Sequence, residues 1–157
     1  MRTIVVSSTM PYSGKSGVCI ALIKELEARG RDVGYFKPYG TMPAFENGVE
    51  TDMDAAYVNR LLDRPGRADA VCPVVRTRSF VADVLAGRIG ALTPRVREAH
   101  VAASAGRHVA TVDGPSDISQ GMAAGLRVFA VPHTLDGAVR VCHTFPGAVP
   151  PPPAAPP

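Results

Sequence analysis

Residues 3–38 read TIVVSSTMPYSGKSGVCIALIKELEARGRDVGYFKP, and this stretch decides the fold. The run at 3–7 (TIVVS) is β-branched and uncharged, the composition of a short buried strand. A polar loop containing Gly14 follows, and the next apolar residues recur at helical spacing. Val18, Leu22 and Leu26 make one stripe, with Cys19 and Ile23 beside it, which predicts a helix from about Gly14 to Arg29. Gly30 is its stop signal. Residues 33–37 (VGYFK) read as a second strand, ended by Pro38. Strand, tight loop, helix and strand in this order form a βαβ unit, with parallel strands and a right-handed crossover.

The loop between the first strand and the helix carries the chemistry. STMPYSGKS at 8–16 places Gly14, Lys15 and Ser16 after a strand and at the opening of a helix, the context a phosphate-binding loop requires. Backbone N–H groups and the helix N-terminus present positive ends to phosphate oxygens. Lys15 would neutralise the terminal phosphates, and the Ser16 hydroxyl would take one magnesium position. Thr9 stands where the motif GxxxxGK[ST] has its first glycine, and the plain alternative is an ordinary strand-to-helix turn. The nucleotide-binding stretch comprises Thr9, Pro11, Tyr12, Ser13, Gly14, Lys15, Ser16 and Gly17.

Further along, 39–50 is loop-like, a helix is expected from about Asp52 to Leu62, and 63–69 (DRPGRAD) is a turn. Residues 79–87 read as a helix with Ser79 as cap and Gly87 as stop. Another helix is expected over about 94–105, with Pro94 in its first turn. The run 108–113 (HVATVD) is a third strand. Asp113 ends it, where a phosphate-loop site needs an acid for magnesium; a turn aspartate before glycine is the alternative. Asp117 is a weaker candidate. Asp52 and Asp54 open a helix, Asp52 suiting the cap and Asp54 the metal. Lys37 closes the second strand. By position alone it reads as a strand-end lysine reaching solvent, although the carboxyl ends of parallel strands also face the ligand crevice.

Composition narrows the classes. The chain has 157 residues, 46% apolar and 20% charged, which suits one domain with a real core. A net charge of +3, no basic block, no tryptophan and 6% aromatics argue against a nucleic-acid partner. Cys19, Cys72 and Cys142 are odd in number and widely spaced, so neither a disulfide framework nor a zinc knuckle is expected. No leader-like or membrane-spanning apolar run is visible, and the expected location is cytoplasmic. After Gly125 the periodic signal decays. RVFAVPHTLDGAVRVCHTF could hold a helix and a strand, but Pro132 and Gly137 interrupt it. Six prolines crowd into 150–157, the composition of an extended, solvated tail.

Together, STMPYSGKS, the GYFKP run at 34–38, ETDMDAA at 50–56 and VDGPSDISQGMAAGL at 112–126 resemble the dethiobiotin synthetase-like P-loop ATPases. The likeness is closest to the type associated with phosphate acetyltransferases and covers about residues 2–126. It implies a three-layer α/β fold of the P-loop NTPase kind, a parallel sheet with helices on both faces, often dimeric. It implies ATP and Mg2+ as cofactors, with Ser16, Asp54 and Asp113 at the metal. In an enzyme of this type Lys15 and Lys37 would be catalytic, Lys37 meeting an anionic substrate in the crevice. On that reading Lys37→Ala leaves stability nearly unchanged, as exposed substitutions do.

The chain departs from the pattern in places. Ser8 stands where the synthetases prefer glycine, Met10 where they carry aspartate, and Asp113 where they carry glutamate. Beyond about residue 126 the family's further strands and adenine-reading segment are not recognisable. The expectation is therefore a partial nucleotide-binding domain over 1–126, an ill-defined segment over 127–149, and a disordered tail over 150–157, as in a truncated or frame-shifted reading. A sheet lacking its C-terminal strands would expose an edge and self-associate. The expected function is a Mg-ATP-binding regulatory module. The alternatives are an ATP-dependent ligase forming a mixed phosphoric anhydride, and a non-functional fragment.

Overall fold

The computed structural model describes residues 1–63, 68–116, 135 and 137–142. The element order is β1 (Arg2–Ser8), α1 (Lys15–Ala28), β2 (Val33–Phe36), β3 (Pro43–Glu46), β4 (Val49–Asp52), α2 (Met53–Leu61), α3 (Ala68–Val71), α4 (Arg78–Leu85), α5 (Thr93–Ser104), β5 (Val109–Asp113) and β6 (Gly137–Cys142). Four strands form one parallel sheet in the order β2-β5-β1-β6. The architecture is α/β, with helices flanking the sheet.

Strand periodicity builds the two faces. Neighbouring side chains on a strand point to opposite sides. Val5, Phe36 and Val112 therefore pack on one side with Leu92 and Val96 of the α5 region. Val6, Val33 and Tyr35 pack on the other with Cys19 and Ile23 of α1 and Val58 of α2. Strands buried on both faces read as continuous β-branched runs, which is why β1 and β5 are legible as TIVVS and VATVD. All three cysteines are unpaired, and burial pushes the Cys72 thiol up to about 12.

Four differences from the sequence expectation have physical reasons. Residues 43–52 form an antiparallel hairpin, with Glu46 opposite Val49, where a loop was expected. Its two-residue turn is Asn47-Gly48, both at positive φ (51° and 77°). Asn-Gly is a strong hairpin signal, but the charged residues around it hid the alternation. α4 is capped by Thr77, not Ser79, because the Thr77 hydroxyl accepts from the Phe80 N–H at 3.0 Å. The expected turn at 63–69 gives way to α3 from Ala68 onward.

The fourth difference is β6. It lies within the segment read as ill-defined and pairs in parallel with β1 from Thr3↔Gly137 to Ser8↔Cys142. Gly137 does not interrupt this strand; it permits it. A Cβ at that position would stand 2.8 Å from Val5 Cγ2 and 3.1 Å from Thr3 Cγ2. β6 is a C-terminal strand that covers one side of β1, so the expectation of a sheet lacking its C-terminal strands does not hold there. Asp117, the tail at 150–157 and most of 127–149 lie outside the described residues.

One buried histidine gives the fold a pH dependence. His100 of α5 packs its ring against Phe36 with centroids 5.2 Å apart, and its Nε2 lies 3.3 Å from Thr3 Oγ1. Burial lowers its pKa, so the folded state favours the neutral ring. The stability this contributes is present above the unfolded value of about 6.5 and is lost as pH falls through the folded value. Urea midpoints are expected to fall between pH 7.5 and pH 5 (about one unit above and one and a half below that pKa) by more in the wild type than in His100→Gln. Equal falls in both proteins would assign the acid sensitivity to other groups.

Candidate functional site

The loop between β1 and α1 opens at the carboxyl end of the sheet. Gly14 sits at the helix N-cap with φ 80°, a left-handed conformation that glycine adopts without strain. No side-chain hydrogen bond caps this end of α1 and no acid occupies its first turn, so the helix's own residues leave the positive pole uncompensated. Upstream, Tyr12 is also left-handed at φ 57°, and its side chain is 98% exposed. The loop is tied internally. Ser8 Oγ lies 3.0 Å from the Met10 carbonyl and 2.9 Å from the Ser116 carbonyl, and Ser13 Oγ donates to Met10 O at 3.0 Å. Ser8 thus fastens the loop to the segment after β5.

That segment brings Asp113 to the loop. Ser16 Oγ donates to Asp113 Oδ2 at 2.9 Å, and Lys15 Nζ lies 3.5 Å from Asp113 Oδ1 while donating to Ser116 Oγ at 2.9 Å. Gly114 allows the close approach. Its N–H donates to Val6 O at 2.8 Å, and a Cβ there would meet Ser7 Oγ at 2.6 Å. The Tyr35 hydroxyl donates to Asp113 Oδ2 at 3.3 Å. Burial, then the Asp113 charge, raises its pKa well above the ordinary tyrosine value, so it remains a donor.

Asp113 is fully buried, and among the described residues its Oδ1 accepts no hydrogen bond, with the Lys15 ammonium 3.5 Å away. A buried acceptor left short of donors is unfavourable, and a cation relieves it. Magnesium prefers hard oxygens and commonly takes one or two from protein, so Asp113 and Ser16 form a fitting donor pair. Among the described residues no group of three or more His, Cys, Asp and Glu forms a metal cluster.

Asp52, Asp54 and Lys37 form a second charged cluster. Asp52 is fully buried and caps α2, accepting from the N–H groups of Asp54 and Ala55, while its Oδ2 accepts from Met42 N at 2.9 Å. Lys37 Nζ lies 2.6 Å from Asp52 Oδ1 and 3.1 Å from Asp54 Oδ2. Burial alone would push the Lys37 pKa down; Asp113, then Asp52 and Asp54, outweigh it and hold the ammonium above the ordinary lysine value. Gly40 makes room for Asp52, since a Cβ there would stand 2.4 Å from Asp52 Cβ.

This corrects two expectations. Lys37 is not a solvent-facing strand-end lysine, being 7% exposed. Nor does it stand on the crevice wall: the cleft of about 620 Å³ beside the loop is lined by Asp54, with Lys37 behind it. The same cleft takes in residues 11–17, Thr41, Met42, Arg76 and Ser116, so Lys15, Ser16 and Asp54 open onto one space. Thr9 precedes it, its N–H donating to Cys142 O of β6 at 3.4 Å.

Sequence reading missed Ser116, Tyr35, Gly40 and Arg76. Ser116 was within reach, three residues after the candidate acid in VDGPS. The other three carry no local signal, because their roles come from strand order and a loop crossing. No helix among the described residues is long and apolar enough to cross a membrane. No protein-family model matches the chain.

Proposed function

We propose that the chain is a Mg-ATP-binding module of the P-loop kind, acting as a nucleotide-binding or regulatory domain. One observation carries this reading. A glycine-turned loop at an uncapped helix N-terminus holds Lys15 and Ser16 against a single buried carboxylate, Asp113. The phosphates of a nucleotide would lie along residues 11–17. There the loop N–H groups and the helix pole favour negative charge, and Lys15 would exchange its Ser116 and Asp113 contacts for phosphate oxygens.

Magnesium, held by Ser16 and Asp113, would supply charge neutralisation at the terminal phosphates. Ser8 and Ser13 fix the loop's shape, so little reorganisation is required on binding. The proposed ligand is a nucleotide rather than an inorganic anion, because the cleft exceeds the space of the loop itself.

Calorimetry with Mg-ADP tests this directly. Lys15→Ala is expected to weaken binding by about 1.5–3 kcal/mol, roughly ten- to hundredfold, the worth of a charge-assisted hydrogen bond. Equal affinity in the two proteins, or no binding by the wild type, would overturn the reading.

A further inference from the structure

The Lys37 cluster leaves a question of charge in the cleft. One ammonium faces two carboxylates, Asp52 and Asp54, and the exposed member is an acid. That wall repels anions. The cleft nevertheless has a cation besides Lys15 of the loop. Arg76 is exposed, lines the same space as Lys15 and Asp54, and among the described residues pairs with no carboxylate.

Its backbone is anchored. Arg76 N donates to Gly40 O at 2.9 Å and Gly40 N donates to Val74 O at 2.8 Å, which joins the Arg76 segment to the chain leaving β2. Gly40 leaves no room for a Cβ against Asp52, and Asp52 holds Met42 on the cleft wall. Arg76 therefore lines the cleft from a pinned backbone, together with Thr41 and Met42.

Resting on the nucleotide reading, we propose that Arg76 is the specificity-determining cation for a second ligand, holding that ligand's oxyanion beside the nucleotide. The oxyanion is a carboxylate or a phosphate, the two groups a guanidinium grips with paired parallel hydrogen bonds. Two facts separate this from phosphate binding by the loop. The loop, Lys15 and Ser116 come from the β1 and β5 ends, whereas Arg76 and Thr41 come from the crossing of the 40–42 and 74–76 segments. Lys37, the other cation on that side, is occupied by Asp52 and Asp54. The Asp54 charge also restricts the ligand: an anion bound at Arg76 sits where an acid disfavours a second negative group nearby.

The test uses the full chain as wild type, Arg76→Ala and Arg76→Lys. Mg-ADP affinity is measured first; malonate and inorganic phosphate are then titrated separately into the Mg-ADP-saturated protein. Mg-ADP affinity in Arg76→Ala is expected within about twofold of wild type, while the affinity for at least one anion falls by about tenfold or more, as loss of a charge-assisted contact does. Arg76→Lys should fall between them, because lysine keeps the charge but not the paired geometry. Whichever probe depends on Arg76 identifies the oxyanion as carboxylate or phosphate. Normal Mg-ADP binding with anion affinities unaffected by Arg76→Ala, or with no anion binding by the wild type, overturns this inference alone. An equal fall in Mg-ADP and anion affinity would make Arg76 part of the nucleotide site and also overturns it. Failure of the wild type to bind Mg-ADP overturns the nucleotide reading and, with it, this one.

Discussion

Lys37→Ala is expected to destabilise the protein by about 3–5 kcal/mol, the cost of removing one partner from a buried ion pair. Asp52 has no exposure and would keep its negative charge among the N–H groups of Met42, Asp54 and Ala55, with its cation gone. The Asp54 contact adds less, because that side chain is 45% exposed and water screens it. Asp54→Ala should therefore cost about 1 kcal/mol or less. Lys37→Met combined with Asp52→Asn should recover part of the loss, since the orphaned charge is removed and asparagine still caps a helix. Urea unfolding of the four proteins is the measurement. A Lys37→Ala loss of about 0.5 kcal/mol or less, typical of surface sites, would contradict the buried pair.

The pH behaviour of Lys37 has a definite sign. The folded-state pKa of Lys37 lies above its ordinary value. Its contribution is then fully present below the unfolded value of about 10.4 and is lost only as pH rises through the higher folded value. Near neutrality the Lys37 shift adds no slope, whereas the lowered pKa of His100 does.

Asp113→Asn is expected to weaken Mg-ADP binding by roughly 10–100-fold, the range seen when a group supporting a metal site is lost. Affinity for metal-free ADP should hold or rise, because a negative charge next to the phosphates is removed. The amide oxygen can still accept from Ser16 and Tyr35, so the local packing has a means of surviving. The carboxamide cannot compensate Lys15, and it offers magnesium a poorer ligand. Calorimetry with and without Mg2+ separates these effects, with near-UV circular dichroism confirming the fold. If Mg2+ strengthened ADP binding equally in wild type and Asp113→Asn, Asp113 would have no part in holding metal.

What the sequence by itself determined is local. TIVVS, VGYF and VATVD read as buried strands because strands covered on both faces are continuous apolar runs. The β1–α1 loop was legible as a candidate site because Gly14, Lys15 and Ser16 are adjacent in the chain, and Asp52 as a cap because capping acts over three residues. Asn47-Gly48 was equally local, and missing the hairpin reflects its charged flanks, Glu46 and Glu50. Only the tertiary structure decided the rest. Strand order brings Asp113 97 residues back to Ser16, and Ser116 101 residues back to Lys15. It makes Lys37 a buried partner instead of a solvated one, a difference no local pattern encodes, since a lysine at a strand end looks the same in both cases. It also turns Gly137 from a breaker into the residue that lets β6 lie against β1: whether a missing side chain weakens a strand or permits it depends on what stands opposite, here Val5 and Thr3.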